Sequence, residues 1–178
     1  MKPIKTDENQ LNIRSDSPDS RGKILSNLAD TPFEVDGVVF PSVESALQGI
    51  KFKDLKKQEE VFAMDGMAAL HAGRKITHSI DGNSAAYVYW KGKEIEYNSD
   101  EHRMLIAMFI REKIRQNTEV QKALLATDGN FIFHDVGAEN PNTSLPEKLY
   151  IEILLAERKI LKKLETVSHQ RDGNRTLR

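Results

Sequence analysis

Residues 32–51 read Pro32-Phe33-Glu34-Val35-Asp36-Gly37-Val38-Val39-Phe40-Pro41-Ser42-Val43-Glu44-Ser45-Ala46-Leu47-Gln48-Gly49-Ile50-Lys51. Strand-forming residues flank Asp36-Gly37, the dipeptide that best tolerates the positive φ angles of a tight turn, so the stretch predicts a β-hairpin over 33–40. Beyond it, Val43, Ala46, Leu47 and Ile50 fall at spacings of three and four, with Ser42 as the N-cap, which predicts a helix leaving the hairpin. Glu44, Gln48 and Lys51 then share one face of that helix. A hairpin followed directly by a helix points to an α+β fold.

Outward toward the N-terminus, Leu11 and Ile13 alternate as in a short strand, and a turn-rich DSPDSRG segment follows. Residues 1–10 are expected to form a flexible N-terminus. On the other side, Lys53 to Ala63 and Gly66 to Lys75 carry helical patterns, the second ending at Gly73-Arg74-Lys75. Ser99 to Gln116 reads as a long amphipathic helix: Met104, Leu105, Met108, Phe109 and Ile114 recur at helical spacing. Asp100 and Glu101 lie in its first turn, with Arg111, Lys113 and Arg115 near its end. Thr118 to Ala126 is a further helix, Phe131 to His134 a buried strand, and a polar loop over 137–143 leads to a helix that starts near Ser144, with Glu147 three residues after the cap, and runs to about Leu164. Thr166 to Arg178 has no apolar periodicity and is expected to be a disordered tail. The whole is one mostly helical α+β domain over 11–165, with a few short strands joining distant parts of the chain.

Composition narrows the function. The 178 residues hold 26 Lys+Arg against 27 Asp+Glu, a net charge of -1, so no global attraction to nucleic acid or anionic membrane is expected. Zero cysteines exclude disulfides, a thiolate nucleophile and every metal site that needs Cys. No apolar run approaches the roughly 18 residues of a spanning helix. The start lacks the apolar core of a signal peptide, so a cytoplasmic location without membrane attachment is the expectation. The common phosphate-loop, dinucleotide, zinc-protease and nucleophile-elbow motifs are absent, and neither a metal nor a cofactor is expected.

Chemistry must therefore come from polar residues at the ends of elements. Glu44, Gln48 and Lys51 form one stripe, whose plainer reading is a dipole-favoured acid followed by a solvated face. Arg74 offers planar donors suited to phosphate, or is ordinary charge at a helix end. Arg14, beside the first strand, faces the same choice, with a structural role slightly favoured. Trp90, the sole Trp, lies in Tyr87-Val88-Tyr89-Trp90-Lys91 and either stacks on a flat base or anchors the core. His134 and Asp135 open the polar loop that reaches Asn142. A His at a strand end is more often structural, so Asp135 is preferred there.

Taken in order, Leu25-Ser26-Asn27-Leu28, Pro32-Phe33-Glu34-Val35-Asp36-Gly37, and Pro41-Ser42-Val43-Glu44 with Gln48 and Lys51 closely resemble the opening of the NADAR or YbiA-like domain. That family shows a Ser-Asn-Phe, a Pro-Phe-x-x-Asp-Gly hairpin and a Ser-x-Glu-x-x-x-Gln-x-x-Lys helix there. Gly73-Arg74 and the 116–127 segment also look like family features, so the resemblance spans roughly residues 11–160. It implies a YbiA-like fold and an N-glycosidase activity. Some members act on phosphorylated intermediates of riboflavin synthesis, and others remove ADP-ribose from modified guanine bases. Breaking a C1–N bond builds positive charge on the ribose, and a carboxylate near the anomeric carbon stabilises it and positions water. The resemblance thus implies Glu44 and Lys51 as catalytic residues, with Asn27, Gln48, Arg74 and Trp90 on the substrate; the residues themselves add Asp135 as a catalytic candidate and His134, Asn142 and Arg14 as substrate contacts.

The sequence departs from the family at HDVGAENPNTSLPEK, which lacks the usual Asp-x-x-Trp-Gly and Asn-x-Leu-Gly strings; Asp135 and Asn142 are its candidate equivalents. The departing loop is where a larger substrate would be read, so the expected partner is an ADP-ribosylated nucleic acid or nucleotide. The alternatives are a hydrolase of riboflavin intermediates and a module that binds ADP-ribose or other NAD derivatives without turnover.

Overall fold

The computed structural model describes residues 9–80, 86–135, 137 and 142–175, with side chains described except at 75, 77–80 and 169–175. In chain order the elements are β1 (Gln10–Asn12), α1 (Ser20–Leu25), β2 (Phe33–Val35), β3 (Val38–Phe40), α2 (Val43–Gly49), α3 (Leu55–Phe62) and α4 (Gly66–Ile80). There follow β4 (Tyr87–Trp90), β5 (Lys93–Glu96), α5 (Asp100–Gln116), α6 (Thr118–Leu125), β6 (Phe131–Phe133) and α7 (Glu147–Arg175). Among the described residues the strands form three two-stranded sheets, and the fold is α+β and mostly helical.

The hairpin forms because Asp36 and Gly37 both take positive φ, 52° and 82°, which pairs Phe33 with Phe40 and Val35 with Val38. Ser42 then leaves the strand in extended conformation, and its hydroxyl accepts the Ser45 N–H at 3.1 Å while the Ser45 hydroxyl accepts the Ser42 N–H at 3.2 Å. That reciprocal cap fixes the first turn of α2, and with it the direction of Glu44.

Phe33, Phe40 and Phe109 are buried and in ring contact, with centroids 5.3 to 6.4 Å apart, and Phe62 meets Phe40 edge-on at 4.9 Å. Trp90 closes this cluster at 6.1 Å from Phe40, 6.0 Å from Phe62 and 5.4 Å from Phe109. Truncating one of these rings to Ala would cost about 3–5 kcal/mol. α5 runs behind the cluster, burying Leu105, Ile106, Phe109, Ile110 and Ile114, and carries the hairpin on one side and α7 on the other.

Several expectations need correction. Tyr87 to Trp90 belongs to a second hairpin, turned by Lys91 and Gly92 at φ 49° and 75°. α4 continues to Ile80, so Gly73-Arg74 lies inside a helix and not past its end. The strand at 131–133 is not buried throughout: it pairs in parallel with β1, burying Ile132 and leaving Phe131 67% exposed. Met104 is 72% exposed, so the buried stripe of α5 passes through Ile106 and Ile110 instead.

The N-terminal expectation falls mostly on residues 1–8, outside the described residues, but β1 already begins at Gln10. The last helix does not stop near Leu164. α7 is helical to Arg175, so residues 166–175 of the stretch expected as a disordered tail are helix, residues 176–178 lie outside the described residues, and Leu164 and Val167 are exposed. Helix propagation adds one backbone bond per residue, so a helix nucleated on the core can extend beyond its apolar stripe.

Lys113, expected as a charge at the end of α5, is fully buried. Its ammonium donates to the carbonyls of Ile24 at 2.9 Å, Leu25 at 3.3 Å and Ser26 at 2.6 Å, the open C-terminal end of α1. Burial pulls its pKa down to about 7. Three acceptors nevertheless match the three N–H of an ammonium, whereas a neutral amine has only two, so the cage favours the charged form.

Candidate functional site

α2 presents its polar stripe as a connected chain. Lys51 Nζ donates to Gln48 Oε1 at 2.7 Å, and Gln48 Nε2 donates to Glu44 Oε1 at 2.6 Å. The amide of Gln48 thus transmits the lysine's positive charge to the carboxylate through two aligned bonds. The solvated face that the plainer reading expects is absent, because Gln48 is only 7% exposed. Its burial comes from α4: a Cβ at Gly73 would lie 1.8 Å from Gln48 Oε1 and 2.9 Å from Gln48 Cβ. Glycine is required at 73 for this close approach and not for a helix end.

Glu44 keeps part of its surface open, yet crowding by its neighbours is the largest influence on it and raises its pKa above 4.5. Four cationic or hydrogen-bonding neighbours oppose the rise: the Gln48 amide first, then the charges of Lys51, Arg74 and His134. The result is a carboxyl that can hold a proton and lies among groups that would stabilise its anion, the condition for a group that both gives and takes a proton.

The rest of the neighbourhood is supplied by the loop after α1 and by α7. Asn27 accepts the Glu44 N–H on its backbone carbonyl at 2.9 Å, and its side-chain Oδ1 is buried with no partner. An orphaned buried acceptor calls for an explanation, and a ligand donor supplies one. The Tyr150 hydroxyl donates to Leu25 O at 2.7 Å, and its ring meets His134 edge-on at 5.1 Å. Burial first and the Glu44 charge second push the Tyr150 phenol above its usual range, so it stays protonated. His134 is held by Nδ1–H donation to the Ile13 carbonyl, a pure acceptor, which leaves Nε2 with the lone pair in the neutral ring. The His134 backbone N–H donates to Glu147 Oε1 at 3.1 Å, so Glu147, expected as the partner of a cap at Ser144, supports His134.

Of the remaining candidates, exposed Arg74 acts on Glu44 by charge from α4. Between His134 and Asp135, it is His134 that acts on Glu44. The Asp135 carboxylate accepts the Gly137 N–H at 2.8 Å, a local turn, and its backbone is fastened by Asn12. Arg14 bonds the Asp135 carbonyl at 3.1 Å and pairs with Asp16, in keeping with a structural role. Trp90 has its ring in the aromatic cluster, which accounts for its half-burial by packing alone. Asn142 accepts from Asn98 Nδ2 at 2.9 Å through its backbone.

Two residues that sequence reasoning passed over stand beside the site. His102, in the first turn of α5, is 2% exposed, and burial lowers its pKa to about 4, with the Lys51 charge adding to the effect. Asn98 donates its backbone N–H to His102 Nδ1 at 3.1 Å. The available signal was position: His102 precedes Leu105 and Ile106 by three and four residues, on the buried face of the helix.

Among the described residues no three His, Asp or Glu side chains gather so as to hold a metal ion, and no helix is long and apolar enough to cross a membrane. Two open grooves of about 350 and 340 Å³ lie along α7, and neither is lined by Glu44, Gln48 or Lys51.

The fold is shared with the solved NMR structure of the E. coli protein YbiA, at a TM-score of 0.61 and 22% identity over 89% of this chain and 88% of that one. In sequence, the chain is 32% identical over 132 residues to an uncharacterised 17.1 kDa protein from the Gp30-rIII intergenic region of Enterobacteria phage T4, a match covering 73% of this chain and 85% of the relative. The family described as bacteriophage protein GP30.3 matches residues 21–159. On both counts the chain belongs to the bacteriophage GP30.3 family.

Proposed function

We propose that the protein is an N-glycosidase of the NADAR type that hydrolyses an N-ribosidic bond, with an ADP-ribosylated guanine base as substrate and Glu44 as the reacting carboxyl. The observation that carries this reading is the Lys51–Gln48–Glu44 chain ending in a carboxyl whose pKa is raised by burial. Hydrolysis forms a bond from water oxygen to the anomeric carbon and breaks the C1–N bond. One proton passes from the water to the departing base nitrogen. As an acid Glu44 delivers that proton; as an anion it stabilises the cationic ribose and accepts a proton from the water. Lys51 and Arg74 neutralise the phosphates of the ribosyl half. Asn27 Oδ1 accepts from a substrate hydroxyl, and His134 Nε2 accepts from the water or the sugar. The YbiA-like fold and the Ser-x-Glu-x-x-x-Gln-x-x-Lys helix support this assignment.

The test is direct. Purified protein in EDTA is incubated with DNA carrying ADP-ribosylated guanine and, separately, with phosphorylated riboflavin precursors, and released ribosyl product is quantified by mass spectrometry. Release from the ADP-ribosylated DNA, reduced about 10²- to 10⁴-fold by Glu44→Gln, is the expected result. Release from the riboflavin precursors alone moves the substrate and keeps the reaction. Binding of ADP-ribose with no release from either makes the protein a binding module.

A further inference from the structure

The groove of about 350 Å³ between α7 and the turn that follows α6 is lined by Arg158, Lys159, Lys162 and Lys163, with Asp128 at its wall. Four cations against one acid leave a local charge of +3 in a chain whose net charge is -1. The fold turns the neighbouring acids of α7 away from it. Glu157 is buried and pairs with Arg111 at 3.4 Å and Arg115 at 3.5 Å on α5, and Glu165 lines the second groove. Asp128 is held by Lys162 at 2.5 Å, so that pair compensates itself. Arg158 is fixed by donating to the Thr127 carbonyl and hydroxyl, each at 2.8 Å. Lys159 and Lys163 are exposed and have neither a hydrogen-bond nor an ion-pair partner among the described residues. Like charges gathered in one groove repel, and no described acid in the lining is left to offset Arg158, Lys159 and Lys163.

Resting on the N-glycosidase reading, we propose that this groove holds the phosphodiester backbone of the nucleic acid that carries the modified base. From Arg158 to Lys163 the cations extend over about 8 Å of helix axis, more than one phosphate group occupies. A nucleic-acid strand presents a charge about every 3.4 Å of its axis, so two to three phosphates face that length. The rest of the lining is Leu155 and the Thr166 hydroxyl, which donates to the Lys162 carbonyl at 3.0 Å. The groove thus offers charge and little that could read a base edge, the pattern of a backbone contact. α7 also ties the groove to the reaction centre. Tyr150 precedes Arg158 by about 12 Å along the helix axis. Its hydroxyl bonds Leu25 O at 2.7 Å, two residues before the Asn27 carbonyl that accepts the Glu44 N–H. Three to four stacked nucleotides cover about the same length, so the separation along α7 is within reach of one short stretch of nucleic acid. The groove acts through affinity for the carrier strand and takes no part in breaking the C1–N bond.

The test measures binding of a labelled mixed-sequence DNA duplex without modified bases, by fluorescence anisotropy over a salt series, to wild type and to the double variant Lys159→Gln with Lys163→Gln. Both lysines are exposed and unpaired, so the variant keeps the fold, and its melting temperature checks this. Lys159→Arg with Lys163→Arg keeps the charge, and Lys56→Gln with Lys57→Gln, exposed on α3, removes the same charge elsewhere. The groove glutamines should weaken binding about tenfold or more at low salt and make the slope of log affinity against log salt shallower by about 2. The arginine pair and the α3 pair should bind as wild type does. No DNA binding by wild type, an equal loss from the α3 pair, or tighter lysine-dependent binding to phosphatidylserine vesicles than to DNA overturns the groove as a nucleic-acid site. On DNA carrying ADP-ribosylated guanine, the groove glutamines should raise KM about tenfold and leave kcat unchanged. The two readings fail separately: Glu44-dependent release with unaltered KM and DNA affinity in the glutamine pair ends the groove alone, and lysine-dependent DNA binding without any release ends the N-glycosidase reading alone.

Discussion

α2 and α5 both set polar residues on faces that pack into the core, and the two sets finish their hydrogen bonds differently. On α2, Lys51, Gln48 and Glu44 bond to one another, and the chain ends on a carboxyl that burial biases toward holding a proton. On α5, Lys113 gives every N–H to a backbone carbonyl and has nothing left to offer a ligand. Burial alone therefore does not separate a site from a brace. The separation lies in whether the last polar atom is closed by the protein's own backbone or left for something else. His102 is likewise buried on α5, with its Nδ1 closed by the Asn98 backbone N–H.

The largest effect expected from this contrast at a fixed pH is on the brace. Lys113→Ala leaves the Ile24 carbonyl without its side-chain donor, while Leu25 O keeps the Tyr150 hydroxyl and Ser26 O the Ala29 N–H, and it opens a cavity, so urea unfolding should show a loss of about 2 kcal/mol or more. If that variant unfolds at the wild-type urea midpoint, Lys113 is not a brace and the contrast fails.

Next is the pH dependence carried by His102. Its pKa is near 4 folded and 6.5 unfolded, so between these values the unfolded chain binds more protons and stability falls as pH falls. The contribution is fully present above pH 6.5 and lost as pH drops through 4, about 3 kcal/mol over the window. Unfolding of wild type and His102→Asn from pH 7 to 4 should give a steeper loss for wild type, and parallel curves would show that His102 titrates normally.

A smaller structural effect with a larger functional one is expected at Gly73. A Cβ there meets the movable end of Gln48 but also lies 2.9 Å from Gln48 Cβ, which can yield only if α2 and α4 shift apart. Overpacking of about 1–3 kcal/mol therefore outweighs the gain of about 1 kcal/mol that Ala brings to the helix, and Gly73→Ala should lower the melting temperature modestly. It displaces the amide that links Lys51 to Glu44, and turnover should fall roughly tenfold, the worth of about one hydrogen bond. Unchanged turnover would show that the link is not needed.

Local signals were legible in the sequence and their consequences across the fold were not. Asp36-Gly37 and Ser42 specify their turn and cap from neighbouring residues alone, so the first hairpin, α2 and the Glu44 stripe follow from the stretch around them. Lys91-Gly92 gives the same kind of turn, but its aromatic flank draws the eye to ligand stacking, and the second hairpin is missed. The burial of Gln48 depends on α4 lying across α2 at Gly73, which no spacing within either helix encodes. Lys113 and His102 were readable in principle, each a polar residue interrupting the apolar stripe of α5. Charge near a helix end has a ready explanation in the dipole, however, and that explanation conceals a buried lysine. In the loop the sequence favours Asp135, whose carboxylate closes a local turn, and the influence on Glu44 comes from its neighbour His134.

The central claim is that Glu44 belongs to the open kind of polar residue, so that its carboxyl serves chemistry and not the fold. Glu44→Gln keeps the shape of the side chain and removes only its ability to ionise. Measured on one preparation, melting temperature and release of guanine-linked ADP-ribose should separate, with melting unchanged or raised and release reduced by about 10²-fold or more. Unchanged release, or a melting temperature that falls in step with lost release, would contradict the claim and place Glu44 with Lys113 among the braces.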